Sequence, residues 1–282
     1  MRVWCFTPNP VREKKFVLGS DRVEVSAGGK GRNVARQLCL WGVPAISKVI
    51  DLGSDSGTGL VPGVGPGAVP GVGPGTIERW GWAWVSEGEE RIDFFTEDLK
   101  VRARGWARIG NYWRRVLRKG DWWAVGGSSA EGWPRGWWRG LIQDLQKKGV
   151  SVLVDSRGAL LREAVQAGAD WVKCNLQEAE GTVGSKGIDR CIPWLKGAGT
   201  TGVVVTMGEK GLVAEVNGCR LLARAPRVKV KDPTGAGDAV TAAIIYGEIR
   251  GWTTERTLRM AARVGAWRVS HGTDVPRVCL KD

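Results

Sequence analysis

Residues 231–245 read Lys-Asp-Pro-Thr-Gly-Ala-Gly-Asp-Ala-Val-Thr-Ala-Ala-Ile-Ile. Gly235 and Gly237 bracket an alanine, Asp238 follows, and the chain then turns apolar. A helix starting here points its first N–H groups outward without intrahelical acceptors, and its dipole adds partial positive charge. Glycines let an anion approach the backbone closely. The turn Gly235, Ala236, Gly237 therefore predicts an anion hole suited to the charge on a transferring phosphoryl group. Asp238, one turn in, is placed to take a proton from an attacking hydroxyl. The plainer alternative is a glycine-rich helix start with a stabilising first-turn acid, and these four residues alone do not choose between the two.

The rest of the chain narrows the choice. Its 282 residues are 43% hydrophobic, enough for one large α/β domain or two small ones. One histidine, His271, excludes any mechanism needing two and disfavours a Ser-His-Asp triad, so acid–base work falls to Asp or Glu. The six cysteines are scattered without CxxC spacing, which suggests neither a disulfide framework nor a zinc site. No apolar run reaches the length of a membrane span, and the N-terminal residues lack the pattern of a signal peptide; the expected location is cytoplasmic, with no membrane partner. The net charge of +13 fits an anionic small substrate or a basic composition without specific meaning. The arginines form no block of five or six, so no nucleic-acid partner is expected.

Strand–helix alternation is clearest in the second half. Val150 to Val154 and Gly202 to Thr206 are continuous apolar runs of the kind found in buried parallel strands. Trp171-Val172-Lys173 is strand-like, and Leu160 to Gln166 reads as a short helix stopped by Gly168. Residues 238–250 and 254–270 read as helices, the second capped by Thr253. In the first half, residues 32–41 show a helical face, and Arg22–Val25 and Ile92–Phe95 read as strands. Arg79 to Ser86 reads as an edge strand, and Trp122-Trp123 falls beside helix-like sequence. The pattern argues for a parallel sheet covered on both faces. Residues 61–76 repeat an octapeptide, Val-Pro-Gly-Val-Gly-Pro-Gly, closed by Ala and then by Thr. Proline cannot donate a backbone hydrogen bond and glycine has the largest entropy to lose, so this stretch is expected to be a surface loop without helix or ladder strand.

Three further segments carry polar chemistry. Ser26 to Arg36 is a second glycine loop entering a helix; it is not a Walker loop, because Gly31 stands where Ser or Thr should follow Lys30. Its Lys30 and Asn33 offer donors to a polyhydroxylated ligand. Asn175 and Glu178 place an amide and a carboxylate three apart after a strand, groups that suit Mg²⁺-bound water near phosphates. Thr206-Met207-Gly208-Glu209-Lys210-Gly211 follows the clearest buried strand, and the carboxyl ends of such strands are where ligands sit in open α/β sheets.

In this order the segments resemble the ribokinase-like sugar kinases, the phosphofructokinase B family, over nearly the whole chain. Gly28-Gly29-Lys30-Gly31-x-Asn33-Val34-Ala35 is similar to the N-terminal signature and Asp232 to Asp238 to the C-terminal one. Within the family, Thr7-Pro8-Asn9-Pro10 and Asp155-Ser156-Arg157 resemble hallmarks of the 1-phosphofructokinases and tagatose-6-phosphate kinases. The resemblance implies a single three-layer α/β/α core over 1–282, with a mainly parallel Rossmann-like sheet. It also implies a small β-sheet lid from about 11–25 and 77–102, which relatives use as a homodimer interface. It implies transfer of the ATP γ-phosphoryl group to a sugar-phosphate hydroxyl, with fructose 1-phosphate becoming fructose 1,6-bisphosphate, and Mg²⁺ as the metal. Asp238 would be the base and Gly235, Ala236 and Gly237 the anion hole. Glu13, Gly29, Lys30, Asn33 and Arg79 would meet the substrate, and Asn175, Thr206, Gly208 and Gly211 the nucleotide. Asn175 and Glu178 would organise the metal, and residues 264–273 would approach the adenine.

The chain departs from the family pattern in the sugar-facing set. Glu13 stands at an aspartate position, Gly81 where an asparagine follows the lid arginine, and Cys174 where Lys-Pro-Asn has proline. The repeat replaces a helix that follows a Gly53, Asp55, Gly57 turn, and the sixteen tryptophans are candidates to cover the sheet face it would leave. Two alternatives follow. One is a kinase of tagatose 6-phosphate or of a non-phosphorylated sugar or nucleoside. The other is a catalytically weak relative that binds sugar phosphate.

Overall fold

Continuous apolar strands must be buried on both faces, and this chain buries them between two helical layers. The computed structural model describes residues 1–17, 23–51, 59–62, 80–85, 91–197 and 199–280, and for 12–27 and 51–95 the backbone alone. The first half holds β1 (Val3–Thr7), β2 (Val11–Val17), β3 (Val23–Gly28), α1 (Lys30–Leu40), β4 (Ala45–Asp51), β5 (Gly59–Pro62), β6 (Trp80–Val85), β7 (Arg91–Phe95) and α2 (Ala103–Val116). Then come β8 (Trp122–Gly126), α3 (Trp137–Lys147), β9 (Ser151–Asp155), α4 (Gly158–Ala167), β10 (Trp171–Asn175), α5 (Leu176–Val183) and α6 (Ile188–Lys196). The chain closes with β11 (Gly202–Thr206), β12 (Leu212–Val216), β13 (Cys219–Ala223), α7 (Ala236–Ile249) and α8 (Thr254–His271).

The large sheet has the order β13-β12-β11-β10-β9-β8-β1-β4-β5. Strands β4, β1, β8, β9, β10 and β11 are parallel, while β5, β12 and β13 pair antiparallel at the two ends. The direction of winding reverses between β1 and β8, and the crevice at such a switch point is where open α/β sheets take ligands. Alternate residues of each strand face opposite layers. Val3 and Cys5 of β1 join the core beneath α1, α7 and α8, whereas Trp4 and Phe6 join the core beneath α2 to α6. Helix α7 is buried at every position from Asp238 to Gly247, which explains its apolar run.

A second sheet of four strands, β3-β2-β6-β7, forms the small lid. Asn9 fixes the crossing from β1 to this sheet: its Nδ2 donates to Asp98 Oδ1 at 2.8 Å and to Ser128 Oγ at 3.0 Å. Two expectations are corrected. Strand β6 is interior, between β2 and β7, because its tryptophan-rich alternation describes a sheet face equally well at an edge or inside. Trp122 and Trp123 follow shortly after α2 and lie in β8, in the middle of the large sheet. Val61 and Pro62, the first residues of the repeat, belong to β5; proline is tolerated there because β5 is the outermost strand and needs no donor on its free side. The remainder of the repeat and the Gly53–Gly57 turn lie outside the described residues.

Tryptophans fill the core under α2 and α3. Trp123 and Phe6 stack with centroids 6.2 Å apart, Trp113 tilts onto Trp123 at 5.5 Å, and Trp138 stacks on Trp123 at 6.2 Å. The indole N–H groups of Trp4, Trp113, Trp123 and Trp138 are buried and find no acceptor among the described residues, a cost set against the large apolar area these rings bury. Among the described residues no helix is long and apolar enough to cross a membrane.

Candidate active site

Several chain segments meet at the carboxyl ends of the central strands. Gly29 precedes α1 at φ 139°, where a Cβ would lie 2.6 Å from Thr7 Cγ2; only glycine lets the loop settle onto the end of β1. That seats Lys30 and Asn33 on the first turn of α1. Asp155 ends β9, Asn175 ends β10, and Asp238 sits in the first turn of α7.

The side chains form one connected network. Lys30 Nζ donates to Asp155 Oδ1 at 2.9 Å and to Glu178 Oε1 at 3.4 Å. Lys173 Nζ donates to Asp155 Oδ2 at 2.9 Å and to the Gly237 carbonyl at 3.2 Å. Thr241 Oγ1 donates to Asp155 Oδ2 at 2.7 Å, and Asn33 Nδ2 donates to Asp238 Oδ2 at 2.7 Å. Asp155 and Lys173 side chains are only 1% and 3% exposed, and that of Lys30 is 28% exposed, so Lys30 is the cation that reaches toward solvent.

Two carboxylates in this network are driven in opposite directions. Burial pushes Asp155 up, but the ammonium groups of Lys173 and Lys30 outweigh it and hold the group down at about 2. Asp238 is raised: burial is the largest cause, the Asp155 charge adds to it, and Lys30, the Asn33 bond and Lys173 offset only part. The result is one carboxylate locked as an anion and one poised to exchange a proton. For Lys30 burial disfavours the ammonium, yet Asp155, Glu178 and Asp238 together raise its pKa. Burial pushes the Cys174 thiol up to about 12, so the residue at the proline position is an inert core group.

Asn175 and Glu178 adopt a reciprocal capping box. Glu178 N donates to Asn175 Oδ1 at 2.7 Å, and Asn175 N donates to Glu178 Oε2 at 2.9 Å. Among the described residues no group of three His, Cys, Asp or Glu could enclose a metal ion. Magnesium keeps much of its water shell and takes one or two carboxylates, so an exposed amide with a carboxylate beside it suits a water-bridged ion.

Thr206, Gly208, Gly211, Ala236 and Gly237 all line a groove of about 790 Å³. Gly265, Ala266 and Val269 of α8 help close it, within the stretch expected to approach adenine. Gly211 has φ 91° and no room for a Cβ, which would lie 2.1 Å from the Ala223 carbonyl oxygen. At the start of α7, the Ala236 N–H is bonded to the Pro233 carbonyl at 3.3 Å, whereas the first-turn position of its neighbours leaves them without intrahelical acceptors. Arg268 of α8 lies against Gly235, and its buried Nη1 finds no hydrogen-bond acceptor among the described residues.

The structure thus brings together Lys30, Asn33, Glu178 and Asp238, and Gly237, next to Asp238 in the chain, lines the groove. Of the small-sheet positions, Glu13 pairs in register with Gly81, which places two departures from the family pattern opposite each other on β2 and β6. Arg79 lies outside the described residues. His271 stands apart, stacked on Trp267 at 4.0 Å. The sequence reading gave no role to Asp155, Lys173 or Thr241. One signal was available: a lysine in the middle of an apolar strand needs a buried carboxylate partner, and Asp155 stands opposite Lys173 in the parallel register of β9 and β10.

A model of the pfkB family carbohydrate kinases matches residues 110–276. The 1-phosphofructokinase of Haemophilus influenzae is 33% identical over 135 residues, covering 46% of this chain and 43% of that protein. The 1-phosphofructokinase of Escherichia coli is 29% identical over 202 residues, covering 67% of this chain and 64% of that protein. The chain therefore matches less than two thirds of the length of either relative. Among solved structures, a tetrameric inhibited form of phosphofructokinase-2 from Escherichia coli superposes with a TM-score of 0.78 at 19% identity, covering 99% of this chain and 96% of that one. A nucleoside kinase from Burkholderia thailandensis in complex with inosine gives 0.68 at 16% identity, over 99% and 94%. These two likenesses are of fold. With more than half of its length matched by the family model, from α2 through the glycine turn of α7 to the end of α8, the chain belongs to the pfkB family of carbohydrate kinases.

Proposed function

We propose that the protein transfers the γ-phosphoryl group of ATP to a hydroxyl of a sugar phosphate, with fructose 1-phosphate as substrate and fructose 1,6-bisphosphate as product. The observation that carries this reading is the meeting of Asp238, with its raised pKa, and Lys30 beside a groove of nucleotide size. The substrate hydroxyl oxygen attacks the γ-phosphorus as its proton passes to the Asp238 carboxylate. The bond from the γ-phosphorus to the β-bridging oxygen breaks, and ADP leaves.

Each group has a part that its position allows. Asn33 holds the Asp238 carboxylate in one orientation through its 2.7 Å bond. Lys30, the solvent-facing cation, neutralises charge on the transferring group or on the sugar's phosphate. First-turn N–H groups at Gly235 and Gly237 face the developing charge. Thr206, Gly208 and Gly211 bed the nucleotide. Asn175 and Glu178 would hold Mg²⁺ through its water, and the ion would neutralise phosphate charge. Glu13 and Arg79 are the lid positions proposed to contact the sugar and its phosphate, with the small sheet as a homodimer interface. The site of action is proposed to be the cytoplasm.

The test is ADP formation with Mg·ATP across fructose 1-phosphate, fructose 6-phosphate, tagatose 6-phosphate, fructose, ribose and adenosine, with Asp238→Asn run beside the native chain. Turnover on fructose 1-phosphate that falls about 10²- to 10⁴-fold in Asp238→Asn supports the reading. Turnover on an unphosphorylated sugar or nucleoside alone overturns the substrate, and undiminished turnover in the variant overturns the base.

A further inference from the structure

We propose that Thr241 is a positioning residue for phosphoryl transfer: its hydroxyl bond to Asp155, acting with the Lys173 bond to the Gly237 carbonyl, clamps the first turn of α7 and sets the direction of Asp238. The inference rests on the functional reading above and deepens it, because Thr241 is buried and does not line the groove.

The case begins with an anomaly in α7. Residues 239–245 read Ala-Val-Thr-Ala-Ala-Ile-Ile, and each is buried. A hydroxyl in this company costs stability unless it is bonded, and Thr241 is 1% exposed. An ordinary buried helical threonine returns its hydroxyl to the carbonyl four residues back. Here that carbonyl, of Gly237, lies 3.1 Å away, but Asp155 Oδ2 is closer at 2.7 Å and carries a full charge. The single hydroxyl proton therefore goes to Asp155.

That choice joins two parts of the chain. Asp155 stands at the end of β9, rigid in the middle of the large sheet, with both oxygens occupied: Oδ1 by Lys30, Oδ2 by Lys173 and Thr241. Lys173, on the neighbouring strand, reaches past Asp155 to the Gly237 carbonyl. Helix α7 is thus held at two points, residue 237 and residue 241, and Asp238 lies between them. Two attachments one turn apart remove the helix's freedom to rotate about its axis or slide along it. Rotation or sliding would swing the Asp238 carboxylate away from Lys30 and Asn33.

Gly237 belongs to the same device. A Cβ at this position would lie 2.8 Å from Lys173 Nζ, and that ammonium cannot retreat because Asp155 holds it in the core. The second glycine of the motif is therefore needed for the clamp as well as for the approach of an anion. The clamp also makes one carboxylate serve two segments: Asp155 fixes Lys30 from α1 and Thr241 from α7 on opposite oxygens, so the candidate cation and the candidate base are referenced to a single point on the sheet.

The test uses the full chain with Thr241→Val, which keeps the shape and removes the hydroxyl, and Thr241→Ser, which keeps the hydroxyl. Displacing a reacting group by a fraction of an ångström should lower kcat about 10- to 100-fold in Thr241→Val, with KM for ATP and for the sugar phosphate within about threefold of native. Thr241→Ser should recover kcat to within about threefold. Amide hydrogen exchange in residues 235–241 should speed up in the valine variant and return to native in the serine variant. Native kcat and native exchange in Thr241→Val overturn the proposal, as does a serine variant no better than valine. If the valine variant fails to fold, Thr241→Ala and Thr241→Ser are compared instead: a defect in alanine alone supports the clamp, and equal rates overturn it. A native chain that turns over no phosphorylated sugar sinks the functional reading instead, and the exchange experiment still decides whether the clamp exists.

Discussion

Replacing Asp155 by Asn tests the energetic centre of the site. The substitution keeps the shape and removes the charge that Lys173 and Lys30 share. Two routes give the magnitude. Asp155 falls from an ordinary 3.8 to about 2 in the folded chain, nearly two units, which is worth about 2–3 kcal/mol at neutral pH. Removing one member of a buried pair also strands the other, at about 3–5 kcal/mol, and Lys173 at 3% exposure has no water to turn to. Lys30 is partly exposed and adds little to this penalty. The variant should thus lose about 3–5 kcal/mol. In urea unfolding at pH 7 that lowers the midpoint by about 1–2 M with the slope unchanged. Adding Lys173→Met should restore most of the loss, because an apolar replacement for the whole pair has no charge to strand. The pH dependence has a definite sign. A carboxyl with a depressed folded pKa stabilises fully above 3.8, and the contribution fades as pH falls through about 2. The gap between native and Asp155→Asn should therefore close across that acid window. A single variant that loses under about 1 kcal/mol, or a double variant no better than the single, would refute the reasoning that the buried ammonium carries the penalty.

Two further outcomes follow from the site. Because Asp238 is raised mainly by burial and must be ionised to accept a proton, the acid limb of kcat should fall above the 3.8 of an ordinary aspartate; the same sign makes the ionised group destabilising as pH rises through its folded pKa, so Asp238→Asn should melt higher than native at pH 7, and a limb at or below 3.8 or a lower melting temperature would contradict this. Gly211→Ala would force a Cβ against the Ala223 carbonyl at φ 91°, and should cost about 1–3 kcal/mol in stability and weaken ATP binding, as read by thermal unfolding and calorimetric titration; native affinity would show that the turn does not bed the nucleotide.

Sequence by itself determined whatever is local in this protein. The turn Gly235-Ala236-Gly237-Asp238 declares a helix start, because glycine freedom and first-turn donors are properties of a few consecutive residues. The largely apolar runs at 150–154 and 202–206 declare buried strands, because a strand covered on both faces carries apolar side chains on both sides. Thr253 caps α8 through its 3.3 Å bond from Arg256 N, as the residue type alone suggests. Lys30, Asn33, Glu178 and Asp238 were all legible as polar groups at the ends of elements.

Tertiary structure decided who meets whom. Asn33 reaches Asp238 across 205 positions, and Lys30 reaches Asp155 across 125, contacts that no local pattern encodes. Asp155 and Lys173 face each other because β9 and β10 are parallel neighbours in a particular register, and a shift of one residue would point them to opposite faces. Only that pairing turns a lone strand lysine into a clamp on α7. The place of β6 inside the small sheet and the entry of Pro62 into an edge strand are likewise questions of neighbours. Alternation and composition fix a strand's two faces, but the partner along each hydrogen-bonding edge is chosen by the whole fold.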